Sequence, residues 1–224
     1  MFSIDFHCHT HLSKDSLTTP RQLVDALYRK KLGVAVVTDH NSIAGALAAQ
    51  ALDPERIIVG EEIMTTKGEI LAAFVTEKIQ RGLTPQETIR RLREQGAFIS
   101  VSHPFESWRN GAWKPDDLLE ITPLVDAIEI FNARCTKAED NQKALEFAKQ
   151  QHIAGTAGSD AHAAFELGNA RLVLPEFGSA DGLRKVINQG QVEGGLSPFW
   201  VHFVSFYARW RKMASNGGVS SKFE

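Results

Sequence analysis

The sequence predicts a single α/β domain built on a parallel sheet or barrel. Apolar runs of strand length alternate along the chain with segments of helical periodicity, as they do in βαβ units. The length of 224 residues, 43% of them hydrophobic, suits one domain with a large core. Histidines and carboxylates follow several of the apolar runs, and the carboxyl ends of parallel strands are where α/β barrels collect their functional groups.

The first half of the chain begins with the apolar strand that contains His7. Pro20 favours a helix start, because proline suits the first helical turn, and Gly33 ends that helix. Asn41 or Ser42 can cap the next helix. In order, the predicted elements are a strand at 4–9, a helix at Pro20–Lys31, a strand at Val34–Thr38, a helix that ends at Ala51, a strand at Ile57–Val59, and a strand at Ile70–Thr76 that can pair with Ile63–Thr65.

The same alternation continues in the second half. Thr84 and Pro85 supply a cap and a first helical residue, and Gly96 ends the helix that they begin. The elements that follow are a strand at Ala97–Val101, an irregular stretch at Trp108–Trp113, a helix near Asp116–Leu119, a strand at Ala127–Phe131, a helix at Glu139–Gln150, strands at Ile153–Ala157 and Ala170–Leu174, and a helix at Ser179–Gln189.

Three segments are expected along the chain: a main domain at 1–195, an amphipathic helix at 196–213 and a flexible tail at 214–224. In the second segment Phe199, Phe203, Phe206 and Trp210 recur at helical spacing, and basic residues accompany them. We expect this helix to pack on the barrel or to mediate oligomerisation through a partner subunit. Peripheral membrane contact is the alternative, because the segment is too short to span a bilayer.

Composition narrows the class of protein. The net charge of −2 gives no general argument for nucleic-acid binding, although a local basic patch would still allow it. Cys8 and Cys135 lack the spacing of a zinc knuckle, and two cysteines do not make a disulfide framework. The N-terminus has no signal-peptide pattern, so a cytoplasmic location is expected.

Metal-ligating residue types stand at the ends of the predicted strands. His7 and His9 are two positions apart, so both side chains point to one face of their strand. Asp160 and His162 have the same spacing after a later strand. The other candidates at strand ends are His40, Glu61 or Glu62, and His103. Imidazole and carboxylate suit Zn²⁺, Mn²⁺ or Fe²⁺, and the number of ligands predicts two or three ions.

The order of these motifs resembles that of the PHP (polymerase and histidinol phosphatase) superfamily. The motifs are His7-x-His9, Thr38-Asp39-His40, Gly60-Glu61-Glu62, Ser102-His103-Pro104 and Gly158-Ser159-Asp160-Ala161-His162. The resemblance covers residues 4–168, most of the chain. It implies a distorted (β/α)7 TIM-like barrel and a metal-dependent phosphoesterase.

The resemblance also implies a role for individual residues. One ion would be held by His7, His9, Glu62 and Asp160, and Glu62 would bridge to a second ion that also binds His103. A third ion would be held by Asp15, His40 and His162, although Asp15 also suits an ordinary turn. The implied catalytic set is His7, His9, Glu62, His103, Asp160 and His162. The chain lacks the further histidine that many members carry in residues 68–74, which leaves the second ion short of a ligand.

Three residues are candidates for contact with substrate. Asn132 and Arg134 end the strand at Ala127–Phe131, and Arg109 lies in the loop after His103. A guanidinium group suits phosphate oxygens. The alternative for Arg134 is a surface ion pair with Glu139 or Asp140. Asp39 has two interpretations of equal weight, a group that orients an imidazole and a cap for the helix that follows.

The expected function is hydrolysis of small phosphomonoesters, such as nucleotide, sugar or amino-alcohol phosphates. The first alternative is a nuclease of the same family that trims RNA or DNA from the 3' or 5' end. An amidohydrolase or deaminase also begins with His-x-His, but the late Asp-x-His and the strand-three Glu argue against it. A metal-binding module without catalytic activity is the remaining alternative.

Overall fold

The computed structural model describes residues 2–109 and 111–217. Within these residues the strands are β1 (Phe2–Cys8), β2 (Val34–Val37), β3 (Ile57–Met64), β4 (Glu69–Ala73), β5 (Phe98–Val101), β6 (Ala127–Asn132), β7 (Ala154–Gly158), β8 (Ala170–Leu174) and β9 (Gln191–Gly194). The α-helices are α1 (Pro20–Arg29), α2 (Ala44–Gln50), α3 (Pro85–Glu94), α4 (Pro115–Ile121), α5 (Ala138–Gln151), α6 (Ala180–Val186) and α7 (Val201–Gly217).

The described strands form one sheet in the order β7-β6-β5-β4-β3-β2-β1-β8-β9. Strands β1, β2 and β3 are parallel, as are β5, β6 and β7. The sheet curves until β1 meets the end of β7, where the Asp160 amide donates to the His7 carbonyl at 2.7 Å and the His9 amide donates to the Ala161 carbonyl at 2.8 Å. The predicted α/β barrel is therefore confirmed.

The barrel is distorted at β4, which runs antiparallel to both β3 and β5. Strand β3 turns into β4 at Thr65 and Gly68, where Thr65 Oγ1 donates to the Gly68 carbonyl at 2.6 Å. A Cβ atom on Gly68 would lie 2.2 Å from the Trp113 ring, so only glycine fits this turn. The pairing of β3 with β4 confirms the predicted hairpin. Because β4 runs antiparallel to its neighbours, the barrel departs from seven regular β/α repeats.

Helix starts follow the sequence signals at α1 and α3. Thr19 and Gln22 form a capping box before α1, and Thr84 Oγ1 accepts a hydrogen bond from the Glu87 amide before α3. The two predicted caps of α2 differ in outcome. Asn41 does not cap the helix, because its Oδ1 atom accepts from the Met64 amide at 3.0 Å, whereas Ser42 Oγ accepts from the amide of Ala44, the first helical residue, at 3.3 Å.

The C-terminal part differs from the expected boundaries. Strand β9 was not expected, and it pairs with β8 as an exposed edge strand. Helix α7 begins at Val201 and extends to Gly217, four residues beyond the expected boundary at 213; residues 218–224 of the expected tail lie outside the described residues. Among the described helices, none is both long and apolar enough to cross a bilayer.

Candidate metal centre

The predicted ligands come together at one edge of the barrel. His7, His9, Glu62, His103 and Asp160 are almost completely buried there. His7 and Glu62 lie within two residues of the carboxyl ends of their strands, and the other three follow strand ends, so the barrel brings together residues that are distant in sequence. His103 and Asp160 have positive φ angles of 22° and 52°, a strained backbone geometry of the kind that accumulates at functional sites.

The first ligand set consists of His7, His9, Glu62 and Asp160. His7 Nε2 lies 3.1 Å from His9 Nε2 and 3.4 Å from Glu62 Oε2. His9 Nε2 lies 3.2 Å from Asp160 Oδ1. Ligand atoms at the corners of a tetrahedron around Zn²⁺ are roughly 3.3 Å apart, because each lies about 2.0–2.1 Å from the ion. The geometry therefore fits one ion at the centre of these four side chains.

Two of these four atoms lack a hydrogen-bond partner although they are buried. Within the described residues, Glu62 Oε2 and Asp160 Oδ1 accept no hydrogen bond of acceptable geometry, although His40 Nδ1 lies 2.8 Å from the first oxygen and His9 Nε2 lies 3.2 Å from the second. A buried carboxylate oxygen without a partner is costly, and coordination of a cation would satisfy it. The donor set and its unsatisfied oxygens thus fit a divalent ion.

Neighbouring side chains orient the imidazoles of the first set. His7 Nδ1 lies 3.0 Å from Glu129 Oε1, and His9 Nδ1 lies 3.1 Å from Ser13 Oγ. Ser13 Oγ in turn donates to Asp39 Oδ1 at 2.6 Å. When Nδ1 carries the proton, the lone pair of Nε2 is available to a metal ion. Asp39 therefore acts on His9 through Ser13, as the orienting interpretation expects.

Glu62 connects the first set to a second one. Its Oε1 atom lies 3.2 Å from His103 Nε2 and accepts a hydrogen bond from Ser102 Oγ at 2.8 Å. Its rival Glu61 points the other way and accepts a hydrogen bond from the Ile79 amide at 2.9 Å. The choice of Glu62 over Glu61 thus follows from the alternation of side chains along β3.

The sequence interpretation missed Glu69, which lies in the second set. Glu69 Oε2 is 3.5 Å from His103 Nε2, and Glu69 Oε1 is 3.8 Å from His40 Nδ1. Glu69 is the first residue of β4. Because β4 is antiparallel to its neighbours, its first residue lies at the edge where the parallel strands end. The signal in the sequence is a carboxylate directly after the Lys67-Gly68 turn, whereas the family pattern points to a histidine in this segment.

The third set consists of Asp15, His40 and His162. Asp15 Oδ1 lies 3.5 Å from His40 Nε2 and 3.3 Å from His162 Nε2. His162 Nδ1 lies 2.7 Å from the Asp160 carbonyl oxygen, which leaves its Nε2 atom toward Asp15. Asp15 Oδ1 is a further buried oxygen without a hydrogen-bond partner in the described chain. The structure thus brings Asp15 to the centre rather than leaving it in a surface turn.

The crowding of charges shifts the ionisation of several groups. Burial opposes protonation of His7, but the carboxylates of Asp160 and Glu62 outweigh it and raise the pKa of His7 well above its ordinary value. Burial and the neighbouring histidines lower the pKa of His9 to about 4. Burial and the nearby Glu62 carboxylate raise the pKa of Glu69 to about 7. The carboxylates thus compete for the few positive charges at this edge of the barrel.

Arg109 and Asn132 hold the second oxygen of Asp160. Arg109 Nη2 lies 2.7 Å from Asp160 Oδ2, and Asn132 Nδ2 donates to the same oxygen at 3.2 Å. Burial disfavours the charged form of Asp160, but Arg109 and His7 hold its pKa well below the ordinary value. Arg109 is 23% exposed as a side chain, so it also reaches the rim of the site. Both residues therefore position Asp160, and contact with substrate stays a prediction for them.

Arg134 lies beneath α7 and is 3% exposed. Its Nη1 atom donates to Ser205 Oγ at 2.9 Å, and its Nη2 atom donates to the Val201 carbonyl at 2.8 Å. Its Nε atom lies 3.4 Å from Glu166 Oε2, so the alternative of a surface ion pair with Glu139 or Asp140 is wrong. The structure thus gives Arg134 a role in attaching α7 to the barrel, and its contact with substrate remains a prediction.

Helix α7 crosses the edge of the barrel that carries the ligands. Val201, Ser205 and Ala208 face the barrel and are buried. At its far end Lys212 Nζ donates to the carbonyl oxygens of His11 and Ser13, in the loop that leads to Asp15. The outer face of α7 exposes Phe203, Phe206, Tyr207, Trp210 and Met213, and Phe199 and Trp200, just before the helix, are exposed as well. Oligomerisation or membrane contact through that face stays a prediction.

Comparisons with known proteins agree with this site. Residues 138–192 match a family model described as PHP-associated. The chain is 38% identical over 177 residues to the uncharacterized protein MJ0417 of Methanocaldococcus jannaschii, and the match covers 78% of this chain and 71% of that protein.

Two solved structures are similar in fold. One is a two-domain protein of Bacteroides vulgatus that contains a predicted PHP-like metal-dependent phosphoesterase, with a TM-score of 0.68, 18% identity, and coverage of 92% of this chain and 69% of that chain. The other is a lesion-specific endonuclease of Pyrococcus furiosus, with a TM-score of 0.57, 18% identity, and coverage of 88% and 59% respectively. These structures show the likeness in fold. The PHP-associated match and the 38% identical relative, together with the ordered ligand motifs, show that the chain belongs to the PHP superfamily.

Proposed function

We propose that this protein is a metal-dependent phosphoesterase that hydrolyses phosphomonoesters of small molecules. The position of Glu62 is the observation that supports this most directly. Its Oε2 atom faces His7 and His9, whereas its Oε1 atom faces His103. A carboxylate shared between adjacent ions is what a two-metal phosphoester site requires.

The proposal comprises three ligand sets, and the distances between their side chains support it. The first ion would be held by His7, His9, Glu62 and Asp160, the second by Glu62 and His103, and the third by Asp15, His40 and His162. When bound, divalent ions of this kind activate a water molecule and neutralise charge on phosphoryl oxygens. Nitrogen and oxygen ligands suit Zn²⁺, Mn²⁺ or Fe²⁺.

The protein's own residues supply orientation and charge. Glu129 and Ser13 fix the imidazoles of His7 and His9, so that their Nε2 atoms face the ions. Arg109 is ion-paired with Glu106 and Asp160, and these carboxylates raise its pKa well above the ordinary value although the side chain is partly buried. A guanidinium that stays protonated at the rim of the site is suited to bind the phosphate oxygens of a substrate.

A small substrate agrees better with the surroundings of the site than a polymer does. Helix α7 crosses the ligand-bearing edge and is attached at both ends, through Arg134 and through Lys212. The net charge of −2 provides no long-range attraction for a polyanion.

The test is turnover of p-nitrophenyl phosphate and of nucleotide monophosphates after the protein has been loaded with Mn²⁺ or Zn²⁺. We expect phosphate release by the wild type and a loss of at least 100-fold in His7→Ala, because the first ion would lose a ligand. Glu61→Gln is the matched control, because Glu61 is buried on the same strand but points away from the ions. A fully metallated wild type that is inert on all phosphoesters would exclude the proposal.

The second candidate is a nuclease that acts on the ends of RNA or DNA. The likeness in fold to a lesion-specific endonuclease supports it. A short end-labelled oligonucleotide distinguishes the two functions. Progressive shortening from one end, with no release of phosphate from monophosphates, would favour the nuclease.

A further inference from the structure

Glu69 stands where the second ligand set is incomplete. The set otherwise contains only Glu62 Oε1 and His103 Nε2, which are 3.2 Å apart. Glu69 Oε2 lies 3.5 Å from the same His103 atom. These spacings are close to the roughly 3.3 Å expected between ligand atoms around one tetrahedral ion. Ligand atoms of His40, Glu62 and Glu69 also lie within 4.8 Å of one another.

The surroundings hold Glu69 in this position. The Glu69 carbonyl accepts hydrogen bonds from Trp113 Nε1 at 3.1 Å and from the Ser102 amide at 3.2 Å. Gly111 lies directly over the side chain, and a Cβ atom there would be 3.0 Å from Glu69 Cγ. Gly111 has a φ of +92°, which suits glycine and lets the loop approach so closely. The Glu69 carboxylate is therefore held in place by packed neighbours and is not a mobile surface group.

A purely structural role does not account for this placement. Glu69 is 5% exposed and shares its space with the buried carboxylate of Glu62. Two buried carboxylates so close together repel each other unless a cation lies between them. Among the described residues near Glu69, the imidazoles of His40 and His103 approach it within 4 Å.

We propose that Glu69 is a ligand of the second ion and takes the place of the histidine that many family members carry in this segment. The inference rests on the proposed metal-dependent function. A carboxylate oxygen is a harder ligand than an imidazole nitrogen, so the exchange weakens the preference for Zn²⁺ relative to Mn²⁺. The second position then has two carboxylates and one imidazole.

The test measures metal binding rather than turnover. Calorimetric titrations with Mn²⁺ and with Zn²⁺, together with the metal content after dialysis, are compared for the wild type, Glu69→Gln and Glu69→His. We expect Glu69→Gln to weaken Mn²⁺ at one position at least tenfold. We expect Glu69→His to raise the ratio of Zn²⁺ affinity to Mn²⁺ affinity at that position at least tenfold. Glu61→Gln, an equally buried amide substitution on the neighbouring strand, should leave both values unchanged.

Anomalous scattering at the Mn and Zn edges, from crystals grown with both ions, shows which metal position the changed affinity belongs to. An ion within coordination distance of Glu69 and His103 supports the inference. Unchanged Mn²⁺ binding in Glu69→Gln, or an unchanged ratio in Glu69→His, overturns it. Ions bound by His7, His9 and Asp160 with Glu69 remote from them would refute the role of Glu69 and leave the phosphoesterase proposal standing. A wild type that binds no divalent ion would refute both.

Discussion

Glu129 offers a sharp test of how the centre is organised, because one carboxylate serves three donors. Its Oε1 atom lies 3.0 Å from His7 Nδ1. Its Oε2 atom accepts hydrogen bonds from the His103 amide at 2.9 Å and from Asn132 Nδ2 at 3.1 Å. All three contacts require an acceptor, and an ionised carboxylate supplies one at each oxygen.

Glu129→Gln keeps the shape but replaces one acceptor by a donor. If the amide nitrogen faces His7, the Nδ1 atom of His7 must accept, and the proton moves to Nε2, which can then no longer bind a metal ion. If the amide nitrogen instead faces the His103 amide and Asn132, three donors meet without an acceptor. Neither orientation reproduces the native arrangement.

We expect the loss of this orienting contact to weaken metal binding at the first position by about 10- to 100-fold. That change corresponds to about 1.4–2.7 kcal/mol of binding free energy. Calorimetric titration with Mn²⁺ measures it, with circular dichroism as a check on folding. Glu61→Gln is the control, since the remaining amide oxygen can still accept from the Ile79 amide. A folded Glu129→Gln protein whose Mn²⁺ dissociation constant stays within twofold of the wild type would refute the orienting role.

Three further outcomes follow from the structure. Arg134→Met should speed hydrogen exchange in 201–217 by tenfold or more, because α7 loses its bonds to a buried guanidinium; unchanged exchange would contradict that role. Burial raises the pKa of Glu61 to about 7, so folding favours its protonated form. Wild-type stability relative to Glu61→Gln should therefore fall between about pH 4.5 and pH 7, by up to about 3 kcal/mol; parallel urea-unfolding profiles across that range would exclude it. Removal of Mn²⁺ by a chelator should lower the melting temperature by roughly 5–10 °C. The reference is protein with Mn²⁺ at about 100 times its dissociation constant, where binding contributes about 2.7 kcal/mol of stability. Equal melting curves would count against a bound ion.

The barrel and the convergence of most candidate ligands could be predicted from sequence because local rules determine them. Alternation along β1 places His7 and His9 on one face, and alternation along β3 separates Glu62 from Glu61. The ends of parallel strands meet at one edge, so residues from distant parts of the chain converge without any long-range information.

The residues that were missed depend on strand direction and on tertiary packing. Glu69 comes at the start of its strand, a position that would lie at the opposite edge if β4 were parallel. Glu129 precedes the strand end by three residues and reaches His7 because β6 neighbours β7, whose end meets β1 where the barrel closes. The pairing of Arg134 with Glu166 depends on the loop after β7 and on α7, which no local pattern in 127–134 reports.

The arrangement of charge connects the buried histidines with the proposed metal ions. Asp15, Glu62, Glu69 and Asp160 are all buried at one edge of the barrel, and Arg109 pairs with only the last of them. Burying several carboxylates requires compensating positive charge. Protonated imidazoles supply some of it, which is why the carboxylates raise the pKa of His7 despite its burial. A divalent ion at the proposed site would supply more charge to the same oxygens and would require neutral imidazoles, so protons and metal ions would compete for a single set of side chains.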